Sequence, residues 1–252
     1  MFSLKNKVAF VIGGKGLIGS GISCALAKQG AKVIVASRSS LNNDVIKDEF
    51  KKNNIKTVIM DASKETEVSN AVEEIEKLFG AINILVNCSA WRPTKKYLDD
   101  DADTWEASIK VNSSAIFFPS RLVGKKMAQN GGGSIINISS IYGIGAPPMR
   151  LYDDCDFETE PDYPFLKAGS IGLTKYLSSY FAKSNVRVNS VAPGGVTNNQ
   201  PKSFTDKYNY FVPMGRMANV EDIVGSVVFL ASDESSYITG ITLPVDGGWS
   251  AI

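Results

Sequence analysis

The chain contains no histidine. That absence excludes a Ser-His-Asp or Cys-His nucleophile system built from its own residues, and with it a His-ligated zinc site. Proton chemistry is left to Tyr, Lys, Asp, Glu or water. The three cysteines, Cys24, Cys88 and Cys155, are far apart and odd in number. They suggest neither a disulfide framework nor a CxxC metal knuckle, so free thiols in a reducing compartment and no metal are expected. No apolar stretch reaches the ~20 residues a membrane helix requires, and residues 1–7 lack the pattern of a signal peptide. A cytoplasmic protein with no membrane partner is therefore expected. Excess charge is missing too: 27 Lys and Arg balance 26 Asp and Glu to a net +1, which gives no field to recruit nucleic acid.

What is present fits an ordinary globular chain. Its 252 residues are 44% apolar and 21% charged, enough for one large α/β domain. Short β-rich runs read as strands at Val8–Ile12, Lys32–Ala36, Thr57–Met60, Asn83–Val86, Ser134–Ile138, Arg187–Ala192 and Ile241–Val245. Helical spacing fills the gaps, as at Ile18–Gln29 and Glu65–Phe79. This alternation predicts a doubly wound, Rossmann-type, mainly parallel seven-stranded sheet with helices on both faces, in a single domain over residues 1–252. Two stretches break the rhythm. Residues 141–162 are rich in Gly, Pro and acids, and residues 194–213 are loop-like but carry Phe204, Tyr208, Tyr210 and Phe211. Such loops are commonly functional; for the acidic one, a solvated surface insertion is the competing reading.

After the first strand, Gly14, Gly16 and Gly19 satisfy GxGxxG between a strand and a helix. Glycines there let the backbone approach a pyrophosphate, and the helix N-terminus stabilises its charge. The second strand ends in Ser37-Arg38 rather than Asp or Glu. A carboxylate there would read the adenosine 2′-hydroxyl, whereas Arg makes a charge-assisted contact with a 2′-phosphate. With Lys15 in the turn, this predicts a preference for NADP(H); if Arg38 stacks on adenine or faces solvent, NAD(H) remains usable.

Tyr163 and Lys167 stand four residues apart at the start of a helical pattern, which puts both on one face. A phenol titrates near ~10. A neighbouring ammonium and an oxidised nicotinamide both favour the phenolate, which suits proton exchange with an alcohol. Ser139-Ser140 end a strand, where ligands of open α/β sheets sit.

These segments together resemble the short-chain dehydrogenase/reductase family, in its shorter single-domain branch. The likeness runs through Gly13–Gly19, Gly133–Ser140, Tyr163–Thr174, Arg187-Val188-Asn189 to Pro193-Gly194, and Tyr237-Ile238-Thr239-Gly240 to Trp249. The resemblance implies a catalytic tetrad of Asn112, Ser140, Tyr163 and Lys167. Tyr163 is the general acid/base, Lys167 holds the nicotinamide ribose and lowers the tyrosine pKa, Ser140 orients the substrate oxygen with Ser139 as fallback, and Asn112 positions a water. It also implies cofactor contacts from Gly13, Lys15, Gly16, Leu17, Ile18, Gly19, Ser37, Arg38, Asp61, Ala62, Asn87, Ser89, Pro193, Gly194 and Val196. Departures are Ile12 for the usual Thr, Leu17 for the middle glycine, Asn87-Cys88-Ser89-Ala90 for Asn-Asn-Ala-Gly, and a longer gap between Ser140 and Tyr163. Tyr152 lies closer to the usual spacing but has no Lys at i+4, and is set aside.

The substrate pocket is expected from the segment after Asn87, the 141–162 insertion and the 194–211 loop, lined by Trp91, Tyr142, Met149, Asn198, Gln200 and Phe204. Aromatic faces mixed with amide donors suit a small polyhydroxylated substrate. Likeness to members from bacterial surface-sugar pathways implies a sugar or sugar derivative. A 3-oxoacyl thioester, a non-redox epimerase or dehydratase, and an inactive cofactor-binding protein stay open as alternatives. The family generally forms homotetramers, so a tetramer or dimer is expected through the helices following Asp103 and Tyr163.

Overall fold

The computed structural model describes residues 1–252. Seven strands form one sheet in the order β3-β2-β1-β4-β5-β6-β7: β1 (Val8–Ile12), β2 (Lys32–Ser37), β3 (Lys56–Ile59), β4 (Ile84–Asn87), β5 (Gly133–Ile138), β6 (Val186–Pro193) and β7 (Thr242–Val245). Every pairing is parallel. Parallel strands need crossovers, supplied here by α1 (Leu17–Lys28), α2 (Asp44–Lys52), α3 (Glu65–Phe79), α4 (Ala102–Gln129), α5 (Asp162–Phe181) and α7 (Val220–Ala231).

Side-chain alternation along each strand sorts the apolar residues onto two faces. From β1, Val8, Phe10 and Ile12 join one core with Val72 and Ile75 of α3, Val123 and Met127 of α4, and Leu177 and Phe181 of α5. Ala9 and Val11 join the opposite core with Ile22 and Leu26 of α1 and with Ile223 and Val227 of α7. All five residues of β1 are therefore buried, as a strand covered on both faces must be. The edge strand β3 is mostly exposed.

Two segments carry order that the sequence did not specify. The stretch at 194–213 holds a helix, α6 (Lys202–Phe211). The insertion at 141–162 is not a solvated excursion. Its 3₁₀ turn Met149–Tyr152 buries Leu151 and Tyr152 against Phe204, Tyr208, Val212 and Met217, which makes a third, smaller core. Apolar contact on the inner side of an otherwise acidic segment explains why it folds back. Lys207 also reaches the Asp153 carbonyl and the Asp154 carboxylate, and the Arg150 guanidinium lies 4.6 Å from the Phe211 ring centroid. No helix is long and apolar enough to cross a membrane.

Candidate active site

Register brings the carboxyl ends of the central strands level. Ile12 pairs with Ala36 on one side and Asn87 on the other, and Asn87 pairs with Asn137. The glycine turn, Ser37-Arg38, the Cys88–Trp91 segment and Ser139-Ser140 therefore emerge along one edge. Strand order reverses around β1, which makes this the topological switch point where open α/β sheets bind ligands. A cleft of about 780 Å³ runs along it, from Gly13 and Arg38 at one end to Tyr142, Phe204 and Tyr208 at the other.

At the first end, Gly13 has φ +76°, and a Cβ there would stand 2.7 Å from the Ser89 backbone, so only glycine fits this turn. A Cβ on Gly16 would meet nothing of the protein nearer than the Gly13 carbonyl oxygen at 3.5 Å. Space beside Gly16 thus belongs to the cleft. Gly16 is also the N-cap of α1, with no side-chain cap and no acid in the first turn. The N–H groups in the first turn of α1 and its positive helix end suit a phosphate, so this donor set fits the pyrophosphate of a nicotinamide dinucleotide. Asp61 accepts from the Ser63 N–H and hydroxyl at 3.0 and 2.7 Å. Partial burial favours its neutral form, but Ser63, Arg38 and Lys64 outweigh this and hold the carboxyl below its usual range. The Arg38 guanidinium lies 5.9 Å from the Trp91 ring centroid. The Lys15 ammonium bonds the Ser39 hydroxyl and carbonyl, and the Ser37 hydroxyl donates to the same carbonyl at 2.8 Å.

At the other end, Tyr163 and Lys167 sit in the first turns of α5. The buried Lys167 ammonium donates to the Ile138 carbonyl at 2.7 Å and lies 5.5 Å from the Tyr163 ring centroid. Ser140 accepts from the Tyr142 N–H at 3.1 Å, while the Ser139 hydroxyl is committed to the Lys167 carbonyl. Of the two serines, Ser140 keeps the freer hydroxyl. Asn112 brackets the Trp91 backbone, accepting from its N–H at 2.8 Å and donating to its carbonyl at 2.7 Å. It also donates to Ser108. Ser108 and Thr94 in turn donate to the Asp162 carboxylate, which is 1% exposed. The residue preceding Tyr163 thereby ties α5 to α4 and to the loop after β4.

Asn112, Ser140, Tyr163 and Lys167 all line the cleft, as do the expected cofactor residues except Asn87. The Asn87 side chain is buried, donating to Asn137 Oδ1 at 2.8 Å and to Ser120, and works as a strut between sheet and α4. Of the expected pocket residues, Trp91, Tyr142, Asn198, Gln200 and Phe204 line the cleft. Met149 does not; it starts a turn and is half exposed. The sequence assigns the wall to the right segments but does not single out Arg92, Phe157, Glu158, Thr159, Glu160 and Tyr208, and it leaves out Met217, which follows the expected loop. The i,i+4 pair Phe204/Tyr208 was the available signal for α6. Tyr152 also lines the wall, and its hydroxyl bonds those of Tyr142 at 3.0 Å and Thr159 at 2.6 Å. Burial raises the pKa of Tyr142 and Tyr152, and pushes Tyr208 up to about 12. These phenols therefore stay neutral, and burial likewise pushes the Cys88 thiol up to about 11.

Known proteins share this fold. The sequence model of the enoyl-(acyl carrier protein) reductase family matches residues 15–250. The 3-oxoacyl-(acyl-carrier-protein) reductase of Thermotoga maritima is 30% identical over 97% of this chain and 98% of its own. Post-translational flagellin modification protein A of Campylobacter coli is 30% identical over 98% and 99%. Two crystal structures superpose closely. The short-chain dehydrogenase of Leptospira borgpetersenii with bound NAD+ has a TM-score of 0.89 at 32% identity, covering 98% of this chain and 93% of that one. The gluconate 5-dehydrogenase of Burkholderia cenocepacia in complex with NADP and tartrate has a TM-score of 0.88 at 27% identity, covering 100% and 98%. The chain belongs to the short-chain dehydrogenase/reductase family and is an NAD(P)-dependent dehydrogenase or reductase.

Proposed function

We propose that the protein interconverts a carbonyl and a secondary alcohol on a sugar or sugar derivative, with NADP(H) as the preferred cofactor. The observation that carries this reading is the single cleft shared by Tyr163, Lys167 and Ser140 with the uncapped glycine turn of α1. A nicotinamide bound there supplies the hydride exchange. Tyr163 takes the proton of the alcohol, or returns it to the nascent alkoxide. Lys167 contributes a fixed positive charge on the same helix face, and Ser140 donates to the substrate oxygen. Asn112 keeps the Trp91 segment in place on the cleft wall, and its family role in positioning a water is carried over with it.

Arg38 and Lys15 support the NADP(H) preference, since no carboxylate stands at the end of β2 to repel a 2′-phosphate. The NAD+ in the Leptospira neighbour keeps NAD(H) as the second reading. The sugar assignment draws on the hydroxyl and amide wall of the insertion and of residues 198–200, and on the gluconate-acting neighbour. Initial rates over a panel of keto-sugars, simple ketones and 3-oxoacyl thioesters, with NADPH and NADH, test it. Turnover restricted to the thioesters overturns the sugar assignment, and higher kcat/KM with NADH overturns the cofactor preference.

A second copy of the chain is proposed to cover the outer face of α4 and α5. Phe117 and Phe165 are exposed there around a second, 360 Å³ cavity that includes Leu166 and Leu173, and Tyr176 and Tyr180 are exposed further along α5. Light scattering in solution distinguishes the resulting dimer or tetramer from a monomer.

A further inference from the structure

Arg92 and Glu160 meet at the reaction end of the cleft, from two segments that the sequence assigns to the pocket without naming either residue. Arg92 follows β4; Glu160 comes from the insertion just before α5. The Arg92 guanidinium lies over the Tyr163 ring, 4.0 Å from its centroid. One guanidinium nitrogen approaches Glu160 Oε2 at 3.3 Å, an ion pair without the alignment of a hydrogen bond. Oε2 is buried yet accepts no hydrogen bond. Both residues line the cleft. Arg92 carries five N–H donors in a rigid fork, and a buried carboxylate oxygen that accepts no hydrogen bond is costly even beside a positive charge. Capacity to donate and capacity to accept therefore stand side by side, unspent, against the ring of the proposed acid/base.

We infer that the Arg92–Glu160 pair reads a hydroxyl on the carbon next to the reacting one, so that the preferred substrate is a vicinal diol or its hydroxyketone. A hydroxyl both donates and accepts, which is what this pair offers together. A carboxylate substituent could use only Arg92 and would face Glu160. Glu158, which accepts from the Tyr97 N–H at 3.0 Å, lines the same cleft and adds a second negative charge against a carboxylate substituent. The Tyr142, Tyr152 and Thr159 hydroxyls on the same wall extend the polar surface for further hydroxyls of the ring. The inference rests on the proposed alcohol oxidation at Tyr163 and specifies its substrate class.

The test compares three probes with the NADP+-loaded enzyme: cyclohexanol, trans-1,2-cyclohexanediol and trans-2-hydroxycyclohexanecarboxylate. The wild type is expected to favour the diol over cyclohexanol in kcat/KM by about tenfold or more, the worth of a charge-assisted hydrogen bond. Arg92→Met and Glu160→Leu are each expected to bring that ratio near one. A variant that merely folds poorly or binds cofactor weakly slows both alcohols alike and leaves the ratio unchanged. A wild-type ratio near one, a ratio unmoved in both variants, or a preference for the carboxylate that Arg92→Met abolishes overturns the inference. If no probe is turned over, calorimetric dissociation constants on the NADP+ complex supply the same ratio. Selective diol binding without turnover sinks the proposed reaction and keeps this inference, whereas turnover without diol selectivity does the reverse. Failure of the diol to bind at its solubility limit also overturns it.

Discussion

The ring of Tyr142 stands perpendicular to that of Tyr163, with centroids 6.5 Å apart. Through its hydroxyl, Tyr142 is joined to Tyr152 in the insertion, and Tyr152 packs on Phe204 of α6. The wall facing the proposed acid/base is thus one aromatic assembly, built from the insertion and α6 and fixed by burial.

Within that assembly the phenols have different roles. Tyr163→Phe is expected to lower kcat/KM at least ~100-fold, the scale of general acid/base catalysis, with cofactor affinity changed only a few-fold. Tyr152→Phe is expected to raise KM more than it lowers kcat, because Tyr152 shapes the wall. Steady-state kinetics and cofactor titration check both, and near-normal turnover by the Tyr163→Phe enzyme would assign the proton transfer to another group.

The glycine turn separates folding from cofactor binding. Gly16→Ala places a methyl group in cleft space, so it should cost at most about 1 kcal/mol of stability as a poorer N-cap while weakening NADP+ binding about tenfold or more. Gly19→Ala drives a Cβ to 2.4 Å from the Gly13 carbonyl oxygen, and should cost about 1–3 kcal/mol as overpacking does. Urea unfolding and fluorescence titration of the two variants separate these effects. Equal loss of stability in both would refute the distinction.

Asp162 is a buried carboxylate held only by hydroxyls from Thr94 and Ser108. Asp162→Ala leaves both hydroxyls without their acceptor and should destabilise the protein by about 1–3 kcal/mol. It should also loosen the joint between α5 and the Trp91 segment that Asn112 brackets, so kcat falls beyond what lost stability explains. Denaturant melts and kinetics below the melting range measure the two consequences.

Acid sensitivity should be traceable to the start of α7. Arg216 and the Asn219 N–H hold the Asp222 carboxyl down at about 2, against ~3.9 when unfolded. Because the folded value is the lower one, the stabilisation is complete above the unfolded value and is lost as pH falls through the folded value. Asp222→Asn should therefore lower the melting temperature near neutral pH, with the difference from wild type shrinking between about pH 4 and pH 2. A pH-independent difference would contradict this.

Much of this was legible in the residues. The helix read at Glu65–Phe79 has those same ends in the fold, because a strong 3.6-residue period and a closing Gly80 need no distant partner. The short helix α6 offers only the Phe204/Tyr208 pair as a periodic signal, and its buried face became meaningful only once Leu151 and Tyr152 packed there. The insertion read as polar because six acids outnumber the few apolar side chains that hold it down. Asn87 was expected among the cofactor contacts from its match to the family's Asn motif, yet its side chain is turned into the sheet, where it donates to Asn137 and Ser120.

Local periodicity by itself determined the alternation of strands and helices, the glycine turn and the shared face of Tyr163 and Lys167. These depend on residues a few positions apart, whose geometry the backbone repeats dictate. Only the tertiary structure decided that Arg92 lies on Tyr163 beside Glu160, that Asn112 grips Trp91, and that Asp162 meets Thr94 and Ser108. Those partners lie tens of residues apart along the chain, and their meeting follows from crossovers and packing that no short stretch encodes.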